Sequence, residues 1–149
     1  MPQNQVTLRP ATHGDFAAIR RLIRRVRINP AGLDWRRFLI AVGDDGQLLG
    51  CGQLKPHGPH VIELASLAVE ENHRRQGIAR AIIERLISEA PRPLYLTCRS
   101  SLGPLYEKWG FRELTIPEMP PYFQRLARVM SVVIGVFRAD ERLLVMVLQ

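Results

Sequence analysis

The chain has 149 residues, 46% of them apolar, which is the size and composition of one domain, 1–149, with a core of its own. Two cysteines are too few for a disulfide framework, no Cys or His cluster has metal-ligand spacing, and no apolar run reaches the roughly 18 residues of a membrane span. The net charge is +7, and 19 of the 21 basic residues are Arg, so an anionic partner is expected.

Met1 to Val6 is polar and lacks the apolar stretch of a signal peptide, so a cytoplasmic protein is expected. Val6 to Arg9 reads as a short strand. Thr12-His13-Gly14-Asp15 resembles a capping box with Asp in place of Glu. It opens a helix with Phe16, Ile19, Leu22, Ile23 and Val26 on one face and Arg20, Arg21, Arg24 and Arg27 on the other. Asn29-Pro30 stops it, and Leu33 to Phe38 suits a second short helix. Leu39 to Val42 and Gln47 to Leu54 form an expected hairpin around Asp44-Asp45-Gly46. A Pro56-His57-Gly58-Pro59 turn leads into a long apolar strand, His60 to Val69. His57 and His60 flank that turn and read as surface or loop histidines, while Cys51 and Cys98 read as small core residues in strands.

The helix expected over Gly77 to Ala90 buries Ile78, Ile82, Ile83, Leu86 and Ile87 and ends at Pro91 and Pro93. Leu94 to Cys98 is a strand. Ser100 or Ser101 can cap a short helix from Leu102 to Trp109, closed by Gly110, and Phe111 to Leu114 is a strand. After the prolines at 117, 120 and 121, Phe123, Leu126, Ala127, Met130, Val133, Ile134 and Phe137 recur at helical spacing. Such a stripe must be covered, by its own chain or by a second copy in a homodimer. Leu143 to Leu148 is the final strand.

Between the long apolar strand and the second amphipathic helix lies Glu71-Asn72-His73-Arg74-Arg75-Gln76-Gly77-Ile78-Ala79-Arg80. A strand, a basic glycine-containing turn and a helix start make an anion cradle. The first helical turn leaves N–H groups without internal partners at the positive end of the dipole, which suits a pyrophosphate. Gly77 lets the backbone approach a ligand.

Arg74 to Ala79 fits the pattern R/Q-x-x-G-x-G/A. Leu67-Ala68-Val69 lies upstream, and Leu105-Tyr106-Glu107-Lys108-Trp109-Gly110-Phe111 is similar to a Y-E-K-L-G-F segment. Together they resemble the GNAT N-acetyltransferase superfamily over roughly residues 6 to 115. The resemblance implies an α/β (α+β) fold: a mixed, mostly antiparallel sheet flanked by helices, with a splayed parallel strand pair at the acetyl-CoA site. It implies that main-chain groups of Leu67, Ala68 and Val69 meet pantetheine. It also implies that Arg74, Arg75, Gln76, Gly77, Ile78, Ala79 and Arg80 hold the pyrophosphate, and that no metal takes part. A main-chain N–H near Val69 would steady the oxyanion.

The implied chemistry is attack of an amine on a thioester, with a base to take the amine's proton. Glu63, 14 residues before Gly77, has the spacing of the base in the histone-acetylating branch. The ribosomal-protein acetylases place theirs on the next strand, where Leu94-Tyr95-Leu96-Thr97 has no acid. Tyr106 would protonate the departing thiolate. Arg99 stands where several relatives carry an amide side chain, a departure that bears on acceptor geometry. The acceptor itself is not identified. Two other readings are a non-catalytic acyl-CoA sensor on the same fold and an RNA- or ribosome-associated basic module. The absence of basic blocks interleaved with aromatics argues against nucleic acid.

Overall fold

The computed structural model describes residues 5–132 and 140–149. Seven strands among them form one sheet in the order β1-β2-β3-β4-β5-β7-β6. These are β1 (Thr7–Pro10), β2 (Phe38–Val42), β3 (Leu48–Pro56), β4 (Ile62–Val69), β5 (Leu94–Arg99), β6 (Arg112–Glu113) and β7 (Leu143–Leu148). The helices are α1 (Phe16–Arg25), α2 (Ile78–Glu89), α3 (Gly103–Glu107) and α4 (Pro121–Val132). Neighbouring strands pair antiparallel at β1/β2, β2/β3, β5/β7 and β6/β7, while β4 and β5 run parallel with Ile62 beside Leu94 and Glu63 beside Tyr95. This is the mixed, mostly antiparallel architecture expected above.

The chain divides into two compact units. The first comprises Met1–Lys55 and Leu64–Ala90. Its core gathers Ile19, Leu22 and Ile23 of α1 against Phe38, Ile40 and Cys51. The α1 stripe works as the 3.6-residue period requires, and the capping box before it is real: the Asp15 carboxylate accepts from the Thr12 N–H at 2.7 Å and from the Thr12 hydroxyl at 2.9 Å. Strand side chains alternate in face, so Cys51 turns one way while Gly50 and Gly52 turn the other. A Cβ on Gly50 would stand 3.0 Å from Ile78 Cγ2, and one on Gly52 would stand 2.9 Å from Ile82 Cγ2. The two glycines thus let α2 lie directly on β3, and Ile78, Ile82, Ile83 and Leu86 are buried there. Ile87, expected on that face, is only half-buried.

Leu33 to Phe38 is not a helix. Asp34 caps a single 3₁₀ turn, Trp35–Arg37, by accepting from the Arg36 N–H at 3.0 Å, and Phe38 already belongs to β2 opposite Gln53. The demand for a fifth buried strand residue outweighs the helical spacing, since Phe38 is 3% exposed.

The second unit comprises Pro56–Glu63 and Pro91–Gln149. Leu114, Phe123, Val145 and Val147 form its core, with Val61, Tyr95, Tyr122 and Leu126 packed against it. The α4 stripe is therefore covered by its own chain at Phe123 and Leu126. Val133, Ile134 and Phe137, assigned to the same stripe, lie outside the described residues. Neither Ser100 nor Ser101 caps α3. A 3₁₀ turn over Ser100–Leu102 intervenes, Ser100 Oγ accepts from the Arg142 N–H, and Ser101 Oγ donates to Glu141. Phe111 to Leu114 gives only two ladder residues, Arg112 and Glu113. Among the described residues no helix is long and apolar enough to cross a membrane, and no group of three or more His, Cys, Asp and Glu could hold a metal.

Candidate active site

The anion turn is built from backbone. Arg75 and Gly77 both take left-handed conformations, φ 64° and φ 80°, and Gly77 is the N-cap of α2. Such a φ favours glycine at 77 and is held at 75 against a cost of about 1 to 2 kcal/mol. The N–H of Ala81 bonds back to Gly77 O at 3.0 Å, so helix geometry leaves the N–H groups of Ile78, Ala79 and Arg80 without helical partners. No protein atom outside its immediate neighbours lies within 4 Å of where a Gly77 Cβ would stand. Arg74, Arg75, Gln76 and Gly77 are exposed. A diphosphate fits this surface: open space beside the glycine, free N–H groups and positive charge.

Side chains around the turn are already engaged. Arg74 folds back so that its Nε donates to Val69 O at 3.3 Å. Arg80 Nε donates to Glu84 Oε1 at 2.9 Å, one helical turn on. Arg25 of α1 pairs with Glu70 at 2.8 Å. Just before Leu67-Ala68-Val69, Ser66 adopts φ 56° inside β4. Its Oγ accepts from Gln53 Nε2 at 2.7 Å and its carbonyl from the Cys51 thiol at 3.6 Å. The sequence carried no signal for this kink beyond a small polar residue in an apolar strand.

In the second unit Glu63 is 8% exposed, not a solvent-facing strand end. Its Oε1 lies 2.6 Å from His57 Nε2, and its Oε2 accepts from Thr97 Oγ1 at 3.3 Å. His57 corrects the surface reading: its side chain is 7% exposed and its ring lies flat on Tyr122, centroids 3.7 Å apart at 13°. Burial first, and then the Glu63 charge, push the Tyr122 phenol up.

Tyr106 of α3 is 7% exposed, packed edge-on to Phe111 with ring centroids 6.1 Å apart. Burial, with Cys98 second, pushes its phenol up to about 12. Cys98 is buried as expected, its thiol pushed up to about 11 by burial and then by Glu113, and Cys51 is pushed up to about 12 by burial. Both thiols are thus weak nucleophiles near neutral pH.

The family model for the acetyltransferase (GNAT) family matches residues 9–111, from β1 to the end of the α3 segment. The chain belongs to that family. GNAT enzymes draw their acetyl group from acetyl-CoA. No curated protein matches the sequence. Solved GNAT structures share the fold. N-acetylglutamate synthase from Neisseria gonorrhoeae, complexed with coenzyme A and N-acetyl-glutamate, aligns at 22% identity and TM-score 0.73 over 99% of this chain. The chain spans only 36% of that synthase's length. Rv2747 from Mycobacterium tuberculosis, in complex with CoA, aligns at 20% identity and TM-score 0.75, covering 95% of this chain and 98% of its own. The ribosomal-protein-S18-alanine N-acetyltransferase from Escherichia coli aligns at 21% identity and TM-score 0.68, covering 97% and 93%.

Proposed function

We propose that this chain is an acetyl-CoA-dependent N-acetyltransferase that moves an acetyl group directly to a primary amine of a small molecule or peptide in a ternary complex. The observation that carries the reading is the left-handed Arg75 and Gly77 turn at the N-terminus of α2, within the family-matched segment. There the N–H groups of Ile78, Ala79 and Arg80 hold the pyrophosphate, with Arg74, Arg75 and Gln76 around it. Main-chain groups of Leu67, Ala68 and Val69 meet the pantetheine arm. The Val69 carbonyl also accepts from Arg74 Nε and keeps a second lone pair.

Acetyl-CoA supplies the activated acyl group. The chain's own side chains manage protons. An amine with a pKa near 10 is mostly protonated at pH 7. One proton leaves to a base at Glu63 before the nitrogen can attack. A second passes from that nitrogen to solvent once the C–N bond has formed. As the C–S bond breaks, Tyr106 donates its hydroxyl proton to the sulfur and regains one from solvent. Burial favours the neutral phenol that this step requires.

Calorimetric titration of acetyl-CoA into wild type and Gly77→Asp tests the reading. Wild type binds, and the variant, with bulk and negative charge against the pyrophosphate, does not. Gly77→Asn, which tolerates the left-handed backbone without the charge, separates strain from repulsion. Equal binding by Gly77→Asp and wild type removes the cradle and the reading with it.

A further inference from the structure

A turn histidine facing water has no reason to be buried against a carboxylate, yet His57 and Glu63 have side chains only 7% and 10% exposed. Glu63 has both oxygens engaged, Oε1 with His57 Nε2 at 2.6 Å and Oε2 with the Thr97 hydroxyl at 3.3 Å. These two bonds orient the carboxylate and leave each oxygen a second lone pair. What the carboxylate holds is a ring nitrogen: when the neutral ring donates from Nε2 to Glu63, its Nδ1 keeps a lone pair.

Two rings fix the orientation of the imidazole, and a main-chain bond closes the turn that carries it. Tyr122 stacks on its face at 3.7 Å, Phe123 meets it at 74° with centroids 5.9 Å apart, and the turn is closed by the His57 N–H donating to Val61 O at 2.8 Å. A locked plane sets the direction of Nδ1. Among the described residues, the titratable groups facing His57 are Glu63 from β4 and Tyr122 from α4. Tyr122 is held neutral by burial and by the Glu63 charge, so the carboxylate is the one charge against the ring.

We propose that His57, oriented by Glu63 and seated on Tyr122, is the residue that takes the proton of the acceptor amine. The inference rests on the acetyltransferase reading above and moves the base from Glu63 to its partner. One N–H bond of the ammonium breaks, its electron pair stays on the amine nitrogen, and the proton bonds to His57 Nδ1. The imidazolium then lies against the Glu63 carboxylate, and it loses the proton to solvent after transfer. On this account α4, through Tyr122, is part of the catalytic architecture.

Two measurements test it. Long-range proton–nitrogen spectra of wild type, with the histidines nitrogen-labelled, should place the neutral ring's hydrogen on Nε2 and leave Nδ1 bare. A ring carrying it on Nδ1 overturns the proposal, whether or not an acceptor is in hand. The second is the pH–rate profile of His57→Gln, which keeps a donor toward Glu63 but has no basic nitrogen. With an amine that wild type acetylates, kcat should fall about 10²-fold or more and the acidic limb of the profile should vanish, at unchanged acetyl-CoA affinity. If His57→Gln keeps the wild-type rate and limb while Glu63→Gln loses both, Glu63 is the base and His57 is only packed beside it. If His57→Gln does not fold, the tautomer in wild type decides. Failure of wild type itself to bind acetyl-CoA strikes the functional reading instead, a result neither variant can mimic.

Discussion

In the proposed reaction Tyr106 gives a proton, and burial, which pushes its phenol up to about 12, keeps that phenol neutral. Tyr106→Phe keeps the packing against Trp109 and Phe111 and removes the hydroxyl. It should lower kcat by about 10²-fold or more with acetyl-CoA affinity nearly intact, read by steady-state kinetics beside calorimetry. An unchanged kcat reduces Tyr106 to a packing role. At the far end of the chain, the Arg9 guanidinium, 2.8 Å away, holds the Asp15 carboxyl at about 2 against its ordinary 3.8. Between those values the unfolded state binds more protons than the folded one, so stability rises with pH there. The contribution is complete above 3.8 and lost as pH falls through about 2. With Arg9 39% exposed and screened by water, it amounts to about 1 kcal/mol or less. Denaturant unfolding of Asp15→Asn should show that deficit at pH 7 and little of it near pH 2. An equal gap at both pH values would mean that the loss is one of shape and not of charge. Glu63 was singled out as a candidate base by its spacing of 14 residues before Gly77, which the family resemblance supplies. His57 was not, because its burial depends on Tyr122, which is 65 residues away in sequence and reaches it only through the fold.

Elements were legible where a local period agrees with what covers it. The α1 and α2 stripes and the Asp44-Asp45-Gly46 hairpin follow from spacing alone. Leu33 to Phe38 misled because strand pairing with β3 claims Phe38, and the short Arg112–Glu113 strand is limited by its partner β7. The Gly50-Cys51-Gly52 run gave no sign that it sets the distance between β3 and α2. Gly52→Ala puts a methyl 2.9 Å from Ile82 Cγ2 and 3.1 Å from Leu86 Cδ1, which overpacks the contact and should cost about 1 to 3 kcal/mol in denaturant unfolding. A variant as stable as wild type would mean that α2 shifts freely on the sheet. For α4 the anchor is Phe123, fully buried against Tyr95 and Tyr122. Phe123→Ala should cost about 3 to 5 kcal/mol and, by loosening the support beneath His57, lower kcat more than acetyl-CoA affinity. Loss of stability with full activity would separate the helix from the chemistry.

At the scale of the whole chain, the family and its co-substrate were readable because the turn proposed for the diphosphate is made of backbone, which a short pattern with one glycine specifies. The acceptor was not, since on the proposed reading it is met by side chains assembled from distant segments. The +7 charge has an economical reading in a polyanionic co-substrate. Binding of acetyl-CoA to the native state alone should raise the melting temperature progressively with ligand concentration. The decisive measurement is thiol release from acetyl-CoA by wild type and Tyr106→Phe, run against amino acids, polyamines, aminoglycosides and peptide N-termini. The account predicts release matched one for one by N-acetylated product with at least one class, and strongly reduced in the variant. Saturable binding of acetyl-CoA with no release above the uncatalysed rate for any amine would contradict it.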